Sequence, residues 1–192
     1  ISACLVGSEM CIRDRRSIDV GLGALDGEAF DRVVEVLKDD SRPVYLVAAA
    51  TGHTLLDYFS LLVRYYRPHV ILLESTDRMA HQLIDLPSNA ILLASVFDRH
   101  SRMVESVLRM FHERDMTTIL LTNRSSTPMR RHAEHVLLVA SESSTAFRSR
   151  VCCLILLESL VAALAPSDPD VERGRVRAMQ GLFDDLGVFI TP

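Results

Sequence analysis

The sequence lacks the features that would mark a membrane protein or a nucleic-acid-binding surface. No apolar run reaches the roughly 18 residues that a membrane-spanning helix needs, and the longest runs are interrupted by Arg, His or Asp. The net charge of −4 lacks the basic excess that a nucleic-acid-binding surface usually carries. With 48% hydrophobic residues among 192, the chain can still bury a core. We therefore expect one folded domain of ordinary size and no membrane partner.

The sequence also lacks the local fingerprints of several enzyme classes. It contains no Walker loop, no Gly-x-Gly-x-x-Gly fingerprint, no Gly-x-Ser-x-Gly elbow and no Cys-x-x-Cys pair. Its His residues show no i, i+4 pairing of the kind that binds metals on a helix. We therefore expect no nucleotide cofactor, no metal ion and no serine nucleophile.

Residues 1–15 differ in character from the rest of the chain. The run from Cys4 to Asp14 resembles the translation of a transposase-type sequencing adapter, and index bases before it would encode residues 1–3. The alternative is a natural leader, but its apolar part is too short for a secretory signal and has no basic start. We interpret 1–15 as adapter, 16–41 as a lead-in helical segment and 42–190 as the folded domain, and we expect the natural protein to extend further upstream.

Two of the four cysteines lie beyond that first segment. Cys152 and Cys153 are adjacent, and adjacent cysteines rarely bridge each other because the geometry is strained. No metal-ligand spacing surrounds them. We expect buried, reduced residues of a helix in a cytoplasmic protein.

Apolar runs alternate with amphipathic segments along the remaining chain. Asp26 is a plausible N-cap for a helix predicted at 27–39. Strands are predicted from five apolar runs, at 44–50, 70–73, 90–94, 117–121 and 135–139. Helices are predicted at 54–66, 76–84, 99–113, 145–164 and 171–186, with at most a short one at 129–132.

This alternation predicts right-handed βαβ crossovers and a parallel sheet with helices on both faces. The expected fold class is α/β, a flavodoxin-like three-layer α-β-α sandwich with a five-stranded parallel sheet. Ligands of such sheets bind beyond the carboxyl ends of the strands, where the strand order reverses. The loops that should border this crevice are 50–54, 74–77, 95–101, 122–127 and 140–145.

Several side chains in these loops are candidates for ligand binding, each with an ordinary alternative. Glu142, Ser143 and Ser144 lie in a polar loop before a long helix. The hydroxyls and backbone N–H groups of such a loop either cap the helix or form an anion site for phosphate. Arg99 could make a bidentate phosphate contact or simply be solvated. His53 is either an acid–base group or a His satisfied by local hydrogen bonds.

Four stretches of the predicted sheet share a further pattern. They read RPVYLV at 42–47 followed by AAATGH, AILLAS at 90–95, TILLTN at 118–123 followed by STP, and AEHVLLV at 133–139 followed by ES. Together they resemble the sugar isomerase (SIS) domain, most of all the effector domain of RpiR-family bacterial transcription regulators, over about residues 16–190. The loops and the resemblance together give ten candidate ligand-binding residues: Thr51, Gly52, His53, Ser95, Arg99, Ser101, Glu142, Ser143, Ser144 and Ser149.

The chain departs from the SIS pattern in the phosphate-binding loops. The family has Gly-x-Gly-x-Ser after the first strand, where this chain has Ala48, Ala50 and Gly52. After the third strand the family has Ser-x-Ser-Gly-x-Thr, where Phe97 and Asp98 replace the second Ser and the Gly. Two hydroxyls are lost, and we expect Asp98 to repel a phosphate at close range.

Three functions are compatible with the sequence. The one we favour is the effector-sensing and dimerisation domain of a bacterial transcription regulator, binding a sugar phosphate or related carbohydrate derivative. It implies a homodimer or higher homo-oligomer and a DNA-binding helix-turn-helix domain missing upstream. The second is a sugar-phosphate isomerase with Glu142 or His53 as its base. The third is a ligandless dimerisation module with the apolar helix at 151–164 packed against a partner.

Overall fold

Five parallel strands form the centre of the structure, a computed structural model that describes residue 15 and residues 18–74, 77–140 and 148–189. The strands pair in the order β2-β1-β3-β4-β5, all parallel. The predicted flavodoxin-like parallel sheet is therefore confirmed. The strand bounds are β1 Val44–Ala48, β2 Val70–Leu72, β3 Ile91–Val96, β4 Thr117–Thr122 and β5 His135–Leu138.

Helices cover both faces of this sheet. Their bounds are α1 Gly27–Lys38, α2 Thr51–Val63, α3 Arg78–Leu83, α4 Arg102–His112, α5 Val151–Ala163 and α6 Pro169–Asp185, with a 3-10 helix at Pro128–His132. Residues 18–23 are also helical. The predicted N-cap of α1 is confirmed, since the Asp26 carboxylate accepts a hydrogen bond from the N–H of Ala29. No helix in the described ranges is long and apolar enough to cross a membrane.

The central strands are buried on both faces, which explains their continuous apolar runs. In β1, Val44 and Leu46 pack into a cluster with α1, α2 and α5. Tyr45 and Val47 point the other way, into a cluster with α3, α4 and the 3-10 helix. Three layers result, with the sheet between two apolar cores.

The predicted boundary between the first strand and its helix is wrong. The strand was expected to run to Ala50 and the helix to begin at Thr54, but β1 ends at Ala48 and α2 begins at Thr51. The reason is the backbone of Ala50, whose φ of 50° and ψ of −128° leave the extended region. The chain turns at this one residue and enters the helix directly.

The predicted start of the fifth helix is also wrong in the part that the structure describes. The helix was expected from residue 145, but residues 148–150 are not helical and α5 begins at Val151. Arg150 has φ −111° and ψ 8°, and the Ser149 hydroxyl accepts a hydrogen bond from the N–H of Val151. This segment instead aims two arginines at the loop after β3. Residues 141–147 lie outside the described part of the chain.

The apolar side of α5 packs inside its own domain. Its buried residues are Cys152, Cys153, Leu156, Leu157 and Leu160, which join the cluster of α1 and α2. The hypothesis that this helix also packs against a partner chain stays a prediction. Both cysteines are buried, as expected, and burial raises the pKa of the Cys153 thiol to about 12.

A buried arginine ties the end of α2 to the segment that leads into β1. The side chain of Arg67 is 3% exposed and donates hydrogen bonds to the carbonyl oxygens of Leu37, Asp39 and Arg42. Burial lowers the pKa of its guanidinium, opposed by the nearby charges of Asp40 and Asp39. The group stabilises the junction because it satisfies three carbonyls at once.

Replacing Arg67 with Met should destabilise the fold by about 3 kcal/mol, because the carbonyls it satisfies would lose their donor inside the protein. Urea unfolding measures this difference, and the exposed Arg177→Met on α6 is the matched control, expected within about 0.5 kcal/mol of the starting protein. Equal effects of the two substitutions would contradict the structural role of Arg67.

Candidate functional site

A cavity of about 740 Å³ opens at the carboxyl ends of β1 and β3. This is where the strand order reverses, because β1 lies between β2 and β3 and the chain leaves the two strands toward opposite faces. The lining residues come from three segments, 49–52, 95–101 and the pair Arg148 and Arg150. The switch point predicted from the sequence therefore does hold the cavity.

The first wall is the tight turn between β1 and α2. Ala50 adopts a positive φ although it carries a side chain, a backbone conformation that favours glycine. Gly52 follows where space is short, since a Cβ on it would lie 3.2 Å from the Cβ of Ala48 and 3.5 Å from the Oγ of Ser95. The turn thus packs directly against the end of β3.

Ser95 lies at the end of β3, in register with Ala48 of β1 and Leu121 of β4. Its residue surface is 3% exposed, and its hydroxyl has no hydrogen-bond partner within the described ranges. A buried hydroxyl without a partner costs about 1–3 kcal/mol. Such a group on a cavity wall is a candidate for contact with a ligand.

An ion-pair cluster around Asp98 forms the second wall. The Oδ1 atom of Asp98 accepts a hydrogen bond of 2.8 Å from Asn123 and lies 3.0 Å from Nε of Arg148. Its Oδ2 atom lies 3.3 Å from Nη2 of Arg150, and Nη2 of Arg124 lies 3.8 Å from Oδ1. Burial acts to raise the pKa of the Asp98 carboxyl, but the hydrogen bonds from Asn123 and Arg150 and the arginine charges outweigh it and lower that pKa. Asp98 is therefore ionised at neutral pH.

Arg150 is held in place from two sides. One Nη donates to Asp98, and the guanidinium carbon lies 4.2 Å from the centre of the Phe97 ring, in a cation–π contact. Its Nε and Nη1 atoms are buried and have no acceptor in the part of the chain that the structure describes. This arginine thus keeps donor capacity after it has paired with Asp98.

Arg99, His100 and Ser101 lead from β3 into α4 on the same wall. Ser101 is the residue before α4, but its hydroxyl makes no capping hydrogen bond. His100 approaches the hydroxyl of Thr127, with Nε2 to Oγ1 at 3.2 Å. Ser101 therefore keeps its hydroxyl for other contacts.

The structure brings five of the ten predicted residues together on the cavity, namely Thr51, Gly52, Ser95, Arg99 and Ser101. His53 lies in the first turn of α2 but does not line the cavity, and the Ser149 hydroxyl accepts from the N–H of Val151. Glu142, Ser143 and Ser144 lie outside the described residues. No group of three His, Cys, Asp or Glu in the described ranges could hold a metal ion.

Sequence reasoning missed Arg148 and Arg150. The one signal in the sequence is an Arg-Ser-Arg triplet just before the apolar helix. The N-terminus of a helix carries a partial positive charge, so cations are unfavourable there. Arginines in such a position call for a partner elsewhere, and Asp98 lies 50 and 52 positions earlier. That contact becomes visible only in the folded chain.

Comparison with known proteins locates the fold. No protein-family model and no curated protein matches the chain. Among solved structures, the sugar isomerase domain of an RpiR transcription factor from Sphaerobacter thermophilus is similar, with 20% identity and a TM-score of 0.80 over 91% of this chain and 97% of that one. The NanR protein of Vibrio vulnificus, complexed with ManNAc-6P, has 19% identity and a TM-score of 0.76 over 96% and 73%.

An enzyme of the same fold is also similar. Phosphoheptose isomerase GmhA from Neisseria gonorrhoeae has 14% identity and a TM-score of 0.66, over 85% of this chain and 98% of that one. These likenesses show that the chain has the fold of the SIS domain, as its sequence resemblance implied. Both regulators and isomerases use this fold, so the site must decide between them.

Replacing Ala50 with Gly should stabilise the protein by about 1 kcal/mol, because relief of backbone strain outweighs the greater flexibility of glycine in the unfolded chain. Thermal unfolding should show a rise of a few degrees. Ala162→Gly, the same change on the exposed side of α5, should lower the melting temperature instead. A fall in both variants would contradict the strain at Ala50.

Proposed function

We propose that this chain is the effector-binding domain of a bacterial transcription regulator, and that its effector is a sugar phosphate or a related anionic carbohydrate derivative. The observation that carries the proposal is the charge of the cavity at the switch point. Arg99, Arg148 and Arg150 line it together with one carboxylate, that of Asp98. The described walls therefore have a surplus of two positive charges, which suits a phosphate group of charge −1.5 to −2 at neutral pH.

Neighbouring arginines offset the repulsion that Asp98 was expected to exert on an anion. Seen alone in the sequence, its carboxylate should repel a phosphate. In the structure its charge is shared by Arg148 and Arg150, with Arg124 nearby. The local field that an incoming anion meets is positive, and this supports binding of an anionic ligand.

The described walls favour binding over turnover. An isomerase needs a base beside the reacting carbon of its substrate. Of the described lining residues, Asp98 is engaged with arginines and His100 contacts Thr127. His53 does not line the cavity. Glu142, the other candidate base, lies outside the described residues. We propose a sensor because of the charge of the described walls, with the isomerase as the alternative that the similarity to GmhA keeps open.

The regulator role draws support from the structural neighbours and from α6. One similar structure is the sugar isomerase domain of a transcription factor. The other is NanR in complex with a sugar phosphate, ManNAc-6P. Helix α6 and the residues after it expose Val176, Leu182, Leu186 and Phe189. Its described hydrogen bonds to the domain come from Arg175, to the carbonyl oxygens of Arg64 and Arg67. An amphipathic helix with so exposed an apolar side supports a homodimer.

A panel of sugars should separate sensor from enzyme. Phosphorylated hexoses and hexosamines, N-acetylmannosamine 6-phosphate among them, should raise the melting temperature. A ligand at a hundredfold excess over its Kd adds about 2.7 kcal/mol of stability. The matched unphosphorylated sugars are the control and should act weakly. A flat response across the panel contradicts the proposal, and conversion of any panel member, followed by NMR, would assign the isomerase instead.

The native gene should encode a helix-turn-helix domain of about eighty residues, a typical small-domain length, upstream of residue 16. The full-length product should sediment as a dimer. Genomic sequencing upstream of the codon for residue 16 tests the first expectation. Analytical ultracentrifugation of the full-length product tests the second. A start codon next to residue 16, or a monomer at micromolar concentration, would count against the regulator.

A further inference from the structure

The structure points to an anion-binding arrangement different from the hydroxyl loops of the family pattern. We propose that the anionic group of the ligand, a phosphate or a carboxylate on a sugar, binds to the guanidinium groups of Arg148 and Arg150 and to the hydroxyl of Ser95. We further propose that the Asp98 carboxylate is an internal anion with which the ligand competes for these two arginines. The inference rests on the proposed function and identifies the atoms that carry it out.

Arg150 and Arg148 supply hydrogen-bond donors for an anion. Arg150 makes one hydrogen bond to Asp98, while its Nε and Nη1 atoms are without an acceptor in the described ranges. The guanidinium carbon lies over the Phe97 ring, 4.2 Å from its centre, and this contact helps to hold the group in place. Arg148 is 49% exposed at its side chain, so it can turn toward a ligand without opening the core. A planar fork held on an aromatic face suits bidentate binding of an oxyanion.

Ser95 provides a second and independent sign of a ligand. It is almost fully buried, lies on the same cavity and has a hydroxyl without a described partner. A structure that needed no ligand could hold Ala at this position without leaving a polar atom unpaired. An anion bound in this cavity would accept a hydrogen bond from that hydroxyl.

Asp98 is the anion that these two arginines bind in the structure. Its two oxygens bind the two arginines as the oxygens of a phosphate would, one to Nε of Arg148 and one to Nη2 of Arg150. Asn123 donates to the same carboxylate and holds it in place. Asp98 therefore holds the two arginines in place. A doubly charged anion can bind to the Nε and Nη1 donors of Arg150, which Asp98 does not engage.

The test uses inorganic phosphate as the probe, at constant ionic strength kept with sodium chloride, and reads the apparent Kd from melting temperatures. Arg148→Gln and Arg150→Gln should each weaken phosphate binding about tenfold or more, the usual loss for a charge-assisted hydrogen bond. The control is Arg109→Gln, an exposed arginine on α4 paired with Glu113, which should bind phosphate like the starting protein.

Asp98→Asn tests the competition directly, because the amide keeps the shape of the side chain and removes its charge. Phosphate should bind at least about threefold more tightly to this variant, since a negative charge has left the site. Asp57→Asn, on the exposed side of α2, is the matched control and should leave the Kd unchanged. Weaker binding to Asp98→Asn would overturn the competition and make Asp98 a positioning residue.

Failure of this inference can be told apart from failure of the proposed function. If phosphorylated sugars bind while both arginine variants keep the starting affinity for phosphate, the function stands and the anion site is wrong. If phosphate does not stabilise the starting protein at all, the anion site is wrong whatever the sugars do. Should Asp98→Asn not fold, the arginine variants still decide the assignment of the site.

Discussion

The divergence of the chain at β1 and β3 is the constraint on which the site depends. These strands pair side by side in the middle of the sheet, yet the helices that follow them pack on opposite faces. The chain must therefore open a crevice above the two strand ends, whatever residues line it. Ala50 accepts a glycine-like backbone conformation at this point, and Gly52 packs against Ala48 and Ser95.

Charge then gives the crevice its chemical character. The segment before α5 brings Arg148 and Arg150 over the loop after β3, and Asp98 holds them there. The loss of the family's Ser at position 97 and of its Gly at 98 thus does not leave a neutral or negative site, because Arg148 and Arg150 from a distant segment add positive charge to its walls. Ser95 and Arg150 line this cavity, and each has buried polar atoms without a partner among the described residues. Buried polar groups without partners are costly, and their position here supports a ligand-binding role.

Much of the fold could be predicted from the sequence, and the site only in part. Five apolar runs gave the strands because strands buried on both faces need apolar side chains on both faces. The start of α2 could not be predicted, since Ala50 gives no signal for a positive φ. The arginine cluster could not be predicted either, because pairs that lie 50 positions apart depend on the packing of α5 against the sheet. Asp98 can be identified in the sequence as a charge near the site, but its effect depends on arginine partners that only the fold brings to it.

A crystal structure of the chain with whichever sugar phosphate stabilises it most tests the central claim most directly. The account predicts the phosphate above the ends of β1 and β3, within hydrogen-bond distance of Arg150 and the Ser95 hydroxyl, with at least one arginine turned from Asp98 toward the ligand. A phosphate held elsewhere, with Arg148 and Arg150 still closed on Asp98, would contradict it.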